Sequence, residues 1–383
     1  MTLPSKPPQQ THFLKRHGLK LGASALIAVG LVTTLQKSGL KIVPSGVSFA
    51  DVKWWTLPVY FVTLLAMTYF RATRWRFLLR AVVDVPARRI LVVSWVGFAA
   101  IFLMPFRIGE FVRPYMLAAD GSGRGKDGKP LTISVSMATG SVVAERIVDG
   151  LYLSLVLAIA LLLVPTVHPL PKTVVGLDVS VEQVRIYGFT MLGIFTIAFI
   201  VIAVFYFARV WAHKATLAVF GLISRPLGEK LAGIAEKLAD GLHFLGRGRD
   251  AIPFVLETSA YWFFNALGMW ILAWGCGVVH ADGTGITFPE TCTLMGMLGV
   301  TVLIPGPPGA VGLFQTGIYA GMTMYFPTSV VVSAGAAYVF LLYLIQTFWT
   351  LGAGAGCMIF DRGASRALRA AETQAEAPAE GAA

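Results

Sequence analysis

Two apolar stretches in this chain stop before they are long enough to cross a bilayer, and both stop in the same way. The run Leu91–Phe106 drives into Leu103–Tyr115, read LMPFRIGEFVRPY, where Pro105 and Gly109 interrupt the helix and Arg107, Glu110 and Arg113 follow. A helix needs about 20 apolar residues to cross a hydrocarbon core of ~30 Å. The break therefore falls where an ordinary span would still lie in lipid. Residues 303–315, read LIPGPPGAVGLFQ, repeat the device, with Pro305 standing for Pro105 and Gly309 for Gly109. Short, Pro/Gly-interrupted apolar segments in corresponding positions of two halves point to the binding site of a membrane carrier.

Composition fixes the class. The chain is 56% hydrophobic and 13% charged, whereas soluble domains carry about a quarter charged residues. We read an all-α polytopic membrane protein. The first apolar stretch, Leu19–Leu35, follows Lys15 and Arg16 and so resembles a secretory leader. No small-residue cleavage site follows it and further spans do, so it reads as a retained helix. The net charge of +11 fits positive-inside topology and attraction to anionic lipid better than nucleic acid. Cys276, Cys292 and Cys357 show neither metal spacing nor a disulfide framework, and the six histidines are dispersed. No metal or cofactor is expected. The Gly-rich loop 119–130 lacks the Lys-Ser/Thr ending of a phosphate-binding loop.

Charge counting sets the topology. If both broken segments crossed the membrane, the Lys and Arg residues other than Arg146, which lies within a span, would divide evenly between its faces. If both instead return to the face they entered, all but a few fall on the side of the N-terminus, as the positive-inside rule requires. The expectation is about six full spans and two re-entrant helical hairpins in an inverted repeat. The repeat halves are 54–165 and 252–360, linked by a helix at 186–207 and a cytoplasmic amphipathic stretch at 209–250. The membrane domain runs over 19–363, between tails 1–18 and 364–383 that read as disordered. Both termini are expected in the cytoplasm and the chain in the inner membrane. Irregular backbone at membrane depth survives only when packed in protein or lining a cavity, so the two hairpins should meet.

Charges within apolar segments cost about 2.5–3.5 kcal/mol each on insertion scales, and this chain keeps several. Glu110 and Arg113 are three apart and can pair on a helix, as can Arg146 and Asp149, while Glu145 and Asp149 share a face. Arg107, Glu110, Arg113, Glu145, Arg146, Asp149 and Glu257 form the candidate polar chamber for an anionic head group, because the planar guanidinium grips phosphate with two bonds. The competing reading is a set of ion pairs that only lock hairpins to spans. Pro305, Pro308, Gly309 and Gly312 would act through the backbone, breaking the helix and permitting close approach. Arg71 and Arg74 open a basic run to Arg80 that reads as a cytoplasmic anchor and a lesser candidate for lipid head groups. Gly352, Gly354 and Gly356 suggest close helix packing on the last span.

Three stretches carry a family resemblance: PFRIGEFVRPYML at 105–117, SVVAERIVDGLYL at 141–153 and PGPPGAVGLFQ at 305–315. The chain resembles the lysylphosphatidylglycerol-synthase transmembrane family, or flippase-like domain family, over residues 20–360. The resemblance implies a protein that moves lipids between leaflets, with polar positions falling on Arg107, Gly109, Glu110, Arg113, Glu145, Arg146, Asp149, Pro308, Gly309 and Gly312. The family often has Glu where this chain has Gln315, which removes a carboxylate from the second hairpin. The soluble aminoacyl-transferase domain of full synthases is not in this sequence. The function expected is translocation of a phospholipid or polyprenyl-linked lipid, not an enzymatic one. The rivals are a membrane enzyme using Glu110, Glu145 or Asp149 as acid/base, and a non-transporting scaffold. Expected partners are membrane lipids, a separately encoded envelope lipid synthase or aminoacyltransferase, and a second copy in a homodimer.

Overall fold

The computed structural model describes residues 11–37, 39–40, 42–80, 83–120, 123, 133–166, 181–220, 224–226, 228–229, 233, 248–304, 306–361 and 363. Among them the chain is helical, with no strands and an isolated bridge between Val279 and Gly285. Helix α1 is Thr11–Lys37, α2 Thr56–Thr73, α3 Trp75–Leu79, α4 Ala87–Leu103, α5 Val112–Asp120, α6 Val135–Leu163, α7 Val181–Phe207 and α8 Arg209–Phe220. Then come α9 Gly248–Gly275, α10 Phe288–Leu303, α11 Leu313–Met322, α12 Thr328–Val332 and α13 Ala334–Phe360. The expected N-terminal tail is corrected in part: α1 begins at Thr11, so residues 11–18 are helical. Residues 1–10, the tail 364–383 and most of 221–247, where the amphipathic stretch was expected, lie outside the described residues.

Helices α6 and α13 are each long and apolar enough to cross a membrane. They also leave large apolar side chains uncovered, among them Leu155, Ile159, Leu162 and Leu163 on α6 and Phe348 and Phe360 on α13. A water-soluble fold does not expose apolar surface on this scale; a hydrocarbon solvent accepts it.

Three helix pairs form the frame, and small residues draw each together. Gly268 and Gly275 of α9 lie against Tyr60, Thr63 and Thr56 of α2. Gly354 of α13 lies on Ala99 and the Trp95 carbonyl of α4, and Gly296 and Gly299 of α10 lie on Leu157 and Leu153 of α6. Each glycine admits a neighbour into space a Cβ would fill, which is how helices associate where lipid removes the hydrophobic drive. Gly354 meets the packing expectation for the last span, whereas Gly352 and Gly356 face open space.

Each broken segment joins two antiparallel helices. After α4, Gly109 backs onto the Ala100–Ile101 backbone and the Arg113 side chain covers Gly97. After α10, Gly317 and Gly321 of α11 back onto Leu298 and Leu294 of α10. Helix α1 packs against the first turn and against α11, with Leu31 of α1 filling the space beside Gly312.

Candidate functional site

The first break is a 3-10 turn, Pro105–Phe111, entered through two residues in the left-handed region, Phe106 (φ 55°) and Arg107 (φ 57°). Left-handed backbone costs a non-glycine residue about 1–2 kcal/mol, so the surroundings must impose it. They do so from the second break. The Phe106 amide donates to the Gly306 carbonyl at 2.9 Å. Arg107 Nη1 donates to the Val302 carbonyl at 2.8 Å, and Arg107 Nε donates to Glu110 Oε1 at 2.8 Å. Val302 lies in the last turn of α10, whose carbonyls lack helical partners and favour a cation. The expected Glu110–Arg113 pair is therefore corrected: the chain reversal puts Glu110 on Arg107 and turns Arg113 towards α6.

The second break is held by backbone contacts. Gly309 (φ 66°) sits in the turn Pro308–Ala310, and its carbonyl accepts from the Tyr343 hydroxyl of α13 at 3.1 Å. Gly312 (φ 85°) precedes α11, and its amide donates to Gln315 Oε1 at 2.8 Å. Gln315 is thus a buried cap on its own helix. Pro305 lies outside the described residues.

Behind the breaks, α6 contributes a buried ion cluster. Glu145, Arg146 and Asp149 fall within one turn, and Arg74, the residue that caps α2, joins them from a run expected on the cytoplasmic surface. Arg74 is fully buried; its Nη1 and Nη2 reach Asp149 Oδ1 and Oδ2 at 2.6 and 2.7 Å, and Nη2 also reaches Glu145 Oε1 at 2.9 Å. Arg146 Nη2 donates to Glu145 Oε1 at 2.7 Å and its Nη1 lies 3.4 Å from Asp149 Oδ2, the latter being the pair expected from spacing. Arg113, 1% exposed, donates from Nη1 to Glu145 Oε2 at 3.1 Å and stacks over Trp75. The anchor reading of Arg74 fails because the last turn of α2 faces α6 and α9, not water. The outward side of the run behaves as an anchor would: Arg80 is 38% exposed beside Asp250.

Arg71 is different. One turn before Arg74, it lies over the Phe98 ring at 4.2 Å and near Tyr261 at 5.9 Å, and it forms no ion pair among the described residues. Its Nε is buried and unpartnered. The cluster therefore holds four guanidinium groups against two carboxylates.

This unbalanced side opens on a cavity of about 260 Å³. Arg71, Arg107, Arg146 and Asp149 form its polar end, and Gly306, Pro307 and Gly309 of the second break close part of its wall. The rest is apolar and aromatic, including Phe98, Phe102, Trp349 and Phe314. Of the expected residues, Gly109, Glu110, Arg113, Glu145, Pro308, Gly312 and Gln315 do not line the cavity. Glu257 is elsewhere: it accepts from Thr73 Oγ1 and lies 3.5 Å from Arg76. Asn265 and Gln346 line the cavity and had drawn no notice in the sequence, since an uncharged amide within a span has no signature there.

A helical bundle with apolar flanks, paired broken helices and a charged chamber between them is an integral membrane protein. The model of the family described as "Lysylphosphatidylglycerol synthase TM region" matches residues 19–352, and the chain belongs to that family. The family links the protein to lipid metabolism. No curated protein and no solved structure gives a significant match.

Proposed function

We propose that the protein is a lipid translocator of the inner membrane, moving the head group of a phospholipid or polyprenyl-linked lipid through the cavity while its tails remain in the bilayer. The observation that carries this is Arg71: a cation with no ion pair among the described residues, in the lining of a cavity whose other walls suit acyl chain. A phosphate there would gain charge-assisted bonds in a medium of low dielectric.

The helix contacts support an inverted repeat. Exchanging the halves takes α2 to α9, α4 to α10 and α6 to α13. The α2–α9 contact then maps onto itself, and α4–α13 maps onto α10–α6. In this reading α4–α5 and α10–α11 are re-entrant hairpins from opposite faces, and both termini are cytoplasmic. Rocking one half against the other around the fixed cavity gives alternating access.

Catalysis is the weaker reading, because the oxygens of Glu145 and Asp149 are all engaged by guanidinium donors and Glu110 pairs with Arg107 outside the cavity lining. The test is reconstitution of the purified chain in liposomes with a labelled anionic lipid, following leaflet exposure and lipid mass together. Changed exposure at constant mass supports translocation; a new mass makes the protein an enzyme. Neither result, with a synthase co-purifying tightly, makes it a scaffold.

A further inference from the structure

The cavity also discriminates among head groups, and its chemistry differs from that of a site for a cationic one. Asp149 is the one carboxylate in its lining among the described residues. Both its oxygens are taken: Oδ1 by Arg74 at 2.6 Å, and Oδ2 by Arg74 at 2.7 Å and Arg146 at 3.4 Å. Glu145, behind it, binds three guanidinium groups. Position 315 holds an amide committed to capping α11. A second cation, such as the ammonium of an aminoacylated lipid, would meet surplus positive charge and no free acid.

Beyond the arginines the wall offers a second set of groups. Trp95 and Trp262 both line the cavity, and the Nε1 of each is buried without a hydrogen-bond partner among the described residues. These indole nitrogens are sealed within the packing, so Trp95 and Trp262 serve the cavity through their apolar ring surface. The amides of Asn265 and Gln346 join them. Aromatic ring surface beside two side-chain amides matches a neutral group rich in hydroxyls: the rings meet its C–H surface and the amides its oxygens. We infer that the substrate head group is a phosphate bearing a neutral polyhydroxylated moiety, a sugar or polyol, and not a cationic aminoacyl group. This rests on the translocator reading for its site but concerns recognition only.

The experiment measures binding and transfer separately on the full chain. Native mass spectrometry of the detergent-solubilised protein would compare phosphatidylinositol, phosphatidylglycerol, phosphatidic acid and lysyl-phosphatidylglycerol at equal concentration. The expected order is inositol and glycerol lipids first, phosphatidic acid below them, and the lysylated lipid at least tenfold below the glycerol lipid. Trp262→Leu and Asn265→Leu should each reduce the preference for phosphatidylinositol over phosphatidic acid about tenfold, leaving phosphatidic acid bound as before. Equal or tighter binding of the lysylated lipid would overturn the inference, as would an equal loss for all four lipids in the variants. Leaflet transfer of the same lipids in vesicles separates the two readings. Binding in the expected order without transfer sinks the translocator but keeps the head-group assignment; transfer that ignores the head group does the reverse.

Discussion

The Phe106 amide and the Gly306 carbonyl, 2.9 Å apart, join the two broken segments backbone to backbone. Arg107 adds a second tie, reaching Val302 across the same gap. Neither hairpin can shift against the other without loosening both bonds, so this contact is where any rocking of the halves would register first.

Gly309 and Gly109 should resist the smallest enlargement. Gly309→Ala puts a methyl 2.8 Å from the Tyr343 hydroxyl at a φ of 66°, and Gly109→Ala drives one into the Ala100 backbone. Overpacking of this kind costs about 1–3 kcal/mol. Thermal melts of the detergent-solubilised protein should show both variants melting several degrees lower, Gly109→Ala more so because backbone yields less than a hydroxyl.

Arg74 should be the most sensitive position of the ion cluster. Arg74→Met strips Asp149 of its two-point partner and Glu145 of one of three cations; breaking a buried pair costs about 3–5 kcal/mol. Arg74→Lys keeps the charge but not the fork, so its melting temperature should lie between that of Arg74→Met and the unsubstituted protein. A normal melt for Arg74→Met would contradict the network.

Arg71→Gln should separate function from stability. No carboxylate depends on Arg71 for its charge balance, so the variant should melt within a few degrees of the parent while anionic lipid transfer in vesicles falls at least tenfold. Transfer at the parental rate would remove Arg71 from the path.

Gln315→Leu removes the acceptor for the buried Gly312 amide, and leaving a buried donor unpaired costs about 1–3 kcal/mol. Gln315→Glu retains an acceptor and should melt higher than Gln315→Leu. The same melting assay reads both.

Glu257→Gln should leave lipid transfer within about twofold of the parent, because the side chain contacts Thr73 and Arg76 and does not face the cavity. A tenfold loss in the vesicle assay would return Glu257 to the candidate site.

The breaks were legible in the sequence because proline and glycine act on their own backbone, whatever surrounds them. The α6 triad was legible because spacing on one helix fixes which side chains share a face. Partner choice was not. Arg71 and Arg74 stand in a basic run that a one-dimensional reading assigns to the cytoplasmic surface; only the rotation of α2 against α6 and α9 turns them inward. Glu110 has an arginine three residues away on either side, and the left-handed turn at Phe106 and Arg107 decides between them. Trp95, Trp262, Asn265 and Gln346 carry no motif, and their convergence on one cavity belongs wholly to the packing.

The surplus guanidinium of Arg71 makes vacancy the unfavourable condition of this chamber. A positive charge in a low-dielectric enclosure attracts whatever anion the membrane can supply, so the resting form should be a loaded one and release the uphill step. Turnover would then be governed by how fast cargo is let go, and slow exchange, not weak capture, would be the kinetic signature of the carrier.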